Sequence, residues 1–210
     1  MKEKRQKENY FDGLIGMAQS ICTQGKILRE FFSAFHANGT QELVSGLCAI
    51  GEKIFSESEA MTKRLAADFL PPADREDLYS VSVGLVRLSE RIRRIGFCLH
   101  MTAIGTLRAE VGQVSRLLGE MCGQVLRLVK EFKNFKKSAA IEELCGMLRA
   151  LKSRSEKMLS EAVRALYRSG GSGDVLAFVG QRELYGAFAD CFDEAEAFAD
   201  VVGFVVLKNR

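Results

Sequence analysis

Residues capable of nucleophilic, redox or metal chemistry are few and scattered in this sequence. The chain has six cysteines and only two histidines, His36 and His100. No two cysteines form a C-x-x-C pair, which a zinc ribbon or a thioredoxin-type site would need. Neither histidine follows a glutamate by three residues, as di-iron oxidases require. We therefore expect reduced, buried thiols and a protein that is not an enzyme.

Basic residues form two local clusters. Arg87, Arg91 and Arg94 recur at helical spacing, so they should form a stripe on one helix face. The second cluster comprises Lys130, Lys133, Lys136 and Lys137. Such clusters are either ordinary solvated faces or surfaces that attract an acidic partner or an anionic membrane. The net charge of +3 comes with no motif that reads nucleic acid, so we expect no nucleic-acid partner.

The only two prolines, Pro71 and Pro72, mark a sharp turn between two helical segments. An acidic residue follows them and another comes three positions later, which resembles a capping box at a helix start. Charged side chains at such a turn are exposed and fixed in position, so they are candidates for partner binding, with helix capping and salt bridging as the alternative. These candidates are Asp74, Arg75, Glu76 and Asp77.

The elements that position these residues are predicted to be helices throughout. Apolar residues recur at gaps of three and four along nearly the whole chain, and no stretch shows the alternation of a strand. The breaks fall at Asn38-Gly39, Pro71-Pro72, Gly105 and Gly170–Gly173, with Asp174 as the cap of the last helix. We predict an all-α protein of about six long helices, with Leu85 and Phe188 in its core.

A weak internal repeat relates the two halves of the chain. Asp77-Leu78-Tyr79 in the first half is echoed by Glu183-Leu184-Tyr185 in the second. We therefore expect one domain over residues 1–210, built from two pseudo-repeated three-helix bundle units at about 1–105 and 106–210. In this alignment Tyr79 and Tyr185 are equivalent.

The sequence also bears on location. Charges alternate over the first residues, unlike a signal peptide, and the longest apolar run, near 198–207, is shorter than the roughly 20 residues that span a bilayer. We expect a cytoplasmic protein.

Two segments resemble the Pit accessory proteins, which are PhoU-like regulators of low-affinity phosphate transport. The first carries Phe69, Pro72, Asp74, Arg75, Glu76, Asp77, Leu78 and Tyr79, and the last helix carries Glu183, Leu184, Tyr185, Phe188, Asp193, Glu196, Ala199, Lys208 and Asn209. The resemblance implies a PhoU-like domain that regulates phosphate transport without catalysis. It also implies that a Pit-type inorganic phosphate transporter or an associated signalling protein is the partner, with contact at the inner face of the membrane and a homo-oligomer as further expectations.

PhoU-like proteins carry E-x-x-x-D motifs, and in some members these carboxylates bind metal ions. For the first motif two alignments are open: one places Gly51 and Phe55 at the carboxylate positions, and the other keeps Glu57 and places Met61 at the aspartate. The sequence also departs from the motifs at Val86, Arg87, Lys152 and Ala189. Each lost carboxylate removes a ligand and a compensating negative charge. The resemblance therefore implies degenerate metal motifs, no cofactor and no multinuclear cluster.

The acids that remain at motif positions are Glu90, Glu156, Asp193 and Glu196. Asp193 and Glu196 share one helix face, and Glu156 lies on the neighbouring helix. These three either hold a single divalent cation weakly or form a solvated patch paired with Lys152. A general helical protein-interaction bundle is the remaining alternative, because fold does not fix function.

Overall fold

The computed structural model describes residues 2–102, 104–169 and 175–209, with side chains from Tyr10 onward. Within these ranges there are six long helices and no strand, so the prediction of an all-α protein is confirmed. The helices are α1 (Lys2–Ser33), α2 (Thr40–Ala67), α3 (Arg75–Thr102), α4 (Ala109–Phe132), α5 (Ala140–Ser169) and α6 (Val175–Lys208), and a short 3-10 turn (Ala37–Gly39) precedes α2. The predicted glycine break at 170–173 and the predicted cap at Asp174 lie outside the described residues.

Two antiparallel helix pairs form the centre of the bundle. In one, α3 packs along α6, so that a Cβ atom at Gly84 would lie 2.8 Å from the Phe198 ring. In the other, α1 packs along α4, where the rings of Phe11 and Phe132 are 5.9 Å apart. The remaining helices flank this centre, α2 against α1 and α3, and α5 against α4 and α6. Leu85 and Phe188 are fully buried, as predicted.

The helices of the first half have the same kinds of neighbour as those of the second. α1 contacts α2 and α3, and α4 contacts α5 and α6 in the same way, while α1·α4 and α3·α6 link the halves. Two related three-helix units would produce this pattern, and the repeat boundaries at about 1–105 and 106–210 stay a prediction.

The predicted equivalence of Tyr79 and Tyr185 is wrong. Tyr79 is 48% exposed, whereas Tyr185 is 1% exposed. The buried positions of α3 and α6 coincide when Ser82, one turn further along, is paired with Tyr185, because Leu85 then matches Phe188 and both are buried. A 3-4 apolar pattern repeats every turn, so the sequence alone left the register open by one turn.

The segment between α2 and α3, residues 68–74, is here called the proline turn. Pro71 and Pro72 fix the backbone, and the side chain of Arg75 donates a hydrogen bond of 2.5 Å to the carbonyl of Asp68 across the turn. The Tyr10 hydroxyl on α1 donates to the Asp68 carboxylate. The turn is thereby fixed to α1 and to the start of α3.

Over the described ranges, no helix combines the length and the apolar character needed to cross a lipid bilayer.

Candidate functional site

The three carboxylates predicted on α5 and α6 do come together, but around an ammonium group. Lys152 Nζ lies 2.9 Å from a Glu156 oxygen, 3.4 Å from Glu196 and 3.8 Å from Asp193. Lys152 and Glu156 are one turn apart on α5, and the other two acids project from the facing side of α6. Lys152 therefore lies where a cation held by these three acids would have to bind.

The electrostatics of this cluster favour the ammonium. The hydrogen bond to Glu156 and the contact with Glu196 raise the pKa of Lys152 well above its usual value, so its charge is retained at any physiological pH. The lysine is about three-quarters buried, whereas Glu156 and Asp193 are mostly exposed. The arrangement is a salt-bridged acidic patch, one of the two alternatives that the sequence left open.

The corresponding place between α2 and α3 also holds a basic side chain. A Cβ atom at Gly51 would lie 2.6 Å from Arg93 Cδ and 2.8 Å from one of its guanidinium nitrogens. The Arg93 side chain thus crosses α2 at Gly51, where there is no side chain to block it. Phe55, one turn further along α2, is half exposed. Sequence reasoning missed Arg93, although the small residue at position 51 leaves room for a long side chain.

Glu90 is separate from the other three acids. It lines an open cleft of about 580 Å³ between α3 and α6, together with Asp190, Glu194 and the three stripe arginines. In the part of the chain that the structure describes, no group of three or more His, Cys, Asp or Glu side chains is placed to hold a metal ion.

The predicted arginine stripe exists, and its central member is paired. Arg87, Arg91 and Arg94 are all exposed on α3. Arg91 contacts Glu194 at 3.6 Å and Asp190 at 3.9 Å on α6. Arg87 and Arg94, on either side of it, form no ion pair with another described residue.

At the proline turn the predicted partner-binding residues have two different environments. Asp77 is 5% exposed, so its assignment to an exposed contact surface is wrong. Its carboxylate accepts hydrogen bonds of 3.1 Å from Lys208 and from Asn209 at the end of α6. Asp77 also lacks the predicted capping-box contact, because its carboxylate binds these C-terminal residues instead.

The other three charged residues at the turn are exposed. Asp74 contacts Lys208 Nζ at 2.7 Å, and this contact lowers the pKa of the Asp74 carboxyl. Arg75 is the residue that bridges the turn, as described above. Among the four, Glu76 is exposed and its side chain forms no hydrogen bond or ion pair with another described residue. Most of the charge here therefore fixes the turn, and sequence reasoning missed the roles of Lys208 and Tyr10.

The cysteine and histidine environments show no catalytic constellation among the described residues. All six cysteines are free, and four of them are buried. Burial raises the pKa of Cys98 to about 11 and that of Cys191 well above its usual value, which disfavours the reactive thiolate. His36 contacts the Ala34 carbonyl, and His100 contacts the Thr40 hydroxyl across α2 and α3.

With this geometry in place, comparison with known proteins defines the fold. No protein-family model and no curated protein matches this chain. Solved structures do match, and two of them come from Shewanella oneidensis MR-1. One is a PhoU-like protein, with a TM-score of 0.81 and 11% identity over 95% of this chain and 99% of that one. The other is described as a proposed PhoU-like phosphate regulatory protein, with a TM-score of 0.79 and 12% identity over the same shares. The chain therefore has the PhoU-like all-α fold.

Proposed function

We propose that this protein is a non-catalytic regulator of inorganic phosphate transport that acts by binding a partner protein. The observation that carries the proposal is the fold similarity, which covers nearly the whole of this chain and of both structural neighbours. One of those neighbours is described as phosphate regulatory. The resemblance of the proline segment and the last helix to the Pit accessory proteins favours a Pit-type transporter or an associated signalling protein as the partner.

The proposed mechanism uses protein contacts in place of a bound metal cluster. Lys152 lies among the three acids of α5 and α6, and Arg93 crosses Gly51 between α2 and α3. The resemblance places a motif carboxylate at Lys152, and in one of its two alignments it places another at Gly51, which the Arg93 side chain crosses. A cation at each position would repel a metal ion. Regulation then depends on the surface that the helices present.

The α3–α6 cleft is the surface that we assign to the partner. It is open, about 580 Å³ in volume and lined entirely by charged residues. Arg87 and Arg94 flank Arg91, which Asp190 and Glu194 fix in place. Such a cleft suits a charged segment of another protein better than an apolar ligand, because charge complementarity selects partners and speeds their encounter.

Binding to solubilised membranes tests this assignment. The wild-type protein should retain a Pit-type transporter or its associated signalling protein, and Arg87→Glu with Arg94→Glu should weaken retention, more strongly at low salt because exposed charges are screened over about 10 Å at 0.1 M salt. Arg116→Glu with Arg127→Glu, on exposed positions of α4, is the matched control and should bind like the wild type. Equal retention by both double variants would reject the cleft as the contact surface.

A further inference from the structure

The proline turn presents two large apolar side chains to solvent. Phe69 is 90% exposed and Leu70 is 73% exposed, although the same chain buries half of its phenylalanines and most of its leucines. Adjacent apolar residues this exposed are unusual in a folded domain and often mark an interaction site. Neither residue contributes to the core or to the charged contacts that fix the turn.

The backbone that carries this pair is held on both sides. Tyr10 and Arg75 contact Asp68 just before the pair, and Lys208 contacts Asp74 just after it. The two prolines follow the pair directly and restrict the chain further. Because the backbone of the turn is already held in place, little conformational entropy would be lost when Phe69 and Leu70 bind another surface.

Basic side chains lie beside the pair. Lys136, in the connection between α4 and α5, lines one open cavity of about 550 Å³ together with Phe69 and Leu70. Lys137 follows it and is also exposed, and Lys133 is exposed but contacts Asp12 at 3.5 Å. Lys136 therefore adjoins the exposed apolar pair, and it forms a basic rim with Lys133 and Lys137, which line a second cavity together with it.

Most of the acids nearby are already engaged. The carboxylates of Asp74 and Asp77 contact Lys208, and that of Asp68 accepts from Tyr10. Glu76 and Glu131 also lie at this end of the bundle, so the positive charge is local to the edge formed by Lys136 and Lys137.

We propose that the proline turn contacts an anionic lipid bilayer, with Phe69 and Leu70 entering the boundary of the acyl chains while Lys136 and Lys137 remain among the headgroups. A protruding apolar pair with a basic rim has the chemistry of an interfacial membrane contact. One small insertion with two lysines gives weak, reversible binding, since a single anchoring signal is marginal. The inference does not depend on the proposed partner, because lipid alone can test it.

Vesicle flotation with the full chain tests the proposal. The wild type should float with vesicles of equal parts phosphatidylglycerol and phosphatidylcholine. Phe69→Ser with Leu70→Ser should reduce the bound fraction relative to free protein by roughly tenfold or more. Lys136→Glu with Lys137→Glu should reduce it by about fivefold per lysine on these vesicles and leave binding to pure phosphatidylcholine unchanged.

Phe55→Ser is the matched control, because Phe55 is 53% exposed on α2 and lies outside the turn. It should float like the wild type, and thermal unfolding should show that every variant is folded. The proposal is overturned if the wild type does not float with anionic vesicles, or if the control loses as much binding as the Phe69 and Leu70 variant. It is also overturned if the turn variant loses binding only to a purified membrane protein and not to lipid, since the turn would then be a protein contact.

Discussion

The register between α3 and α6 can be tested with a single methyl group at Gly84. An added Cβ atom would lie 2.8 Å from Phe198 Cδ2 and 3.4 Å from Cε2, well inside the usual 3.5–4.0 Å separation of carbon atoms. Phe198 is 1% exposed, so its ring has little room to move. Overpacking of this kind costs about 1 to 3 kcal/mol, and the better helix propensity of alanine recovers about 1 kcal/mol. We expect Gly84→Ala to destabilise the protein by a net amount of about 0 to 2 kcal/mol.

Gly123→Ala on α4 is the matched control, because nothing lies within 4 Å of its added Cβ atom. Helix propensity alone should then stabilise the protein by about 0.5 to 1 kcal/mol. Urea unfolding followed by circular dichroism measures both free energies, and in a chain of this length each 1 kcal/mol shifts the Tm by about 2 to 4 °C. If Gly84→Ala were as stable as Gly123→Ala, the close α3–α6 packing described above would be wrong.

Three further predictions concern the core, the tyrosines and the acidic patch. Phe188→Ala should cost about 3 to 5 kcal/mol in urea unfolding, because Phe188 is fully buried and its ring lies 5.6 Å from that of Phe32; a loss below about 1 kcal/mol would contradict its burial. Burial raises the pKa of Tyr10 and of Tyr185 to about 12, so their contribution to stability should be complete below pH 10 and lost as the pH rises through 12. Tyrosinate absorbance should rise over the same pH range in which the free energy of unfolding falls, and Tyr10→Phe should make that fall in stability smaller. An equal fall in stability in the wild type and the variant would reject the contribution of Tyr10. Lys152→Met should leave Glu156, Asp193 and Glu196 facing one another and tighten Mn²⁺ binding in calorimetry, whereas equal affinity in wild type and variant would show that the ammonium does not block the site.

The helices and the core were predictable because the apolar spacing repeats at every turn of each helix. Leu85 and Phe188 follow from that periodicity alone. The approach of Glu156, Asp193 and Glu196 was also predictable, since they lie off the apolar stripe on adjacent helices. The sequence left two alternatives for the cation between them, a divalent metal ion or the Lys152 ammonium, because residue spacing does not distinguish the two.

Other features depend on contacts distant in sequence and were predicted wrongly or missed. Asp77 was assigned to an exposed surface, yet it is buried, and the residues at the end of α6 contact its carboxylate. Arg93 was missed because its position becomes visible only when α2 and α3 are packed together. The tyrosine repeat was misaligned by one turn, since similar residues at two helix starts can match without sharing an environment.

The initial rate of radiolabelled phosphate uptake tests the central claim most directly. In cells that carry this gene, deleting it should change the uptake rate, and the wild-type gene should restore it. A gene with Arg87→Glu and Arg94→Glu should fail to restore the rate, whereas the Arg116→Glu and Arg127→Glu control should succeed. Uptake that is the same with and without the gene, in both phosphate-rich and phosphate-poor medium, would contradict a role in phosphate transport.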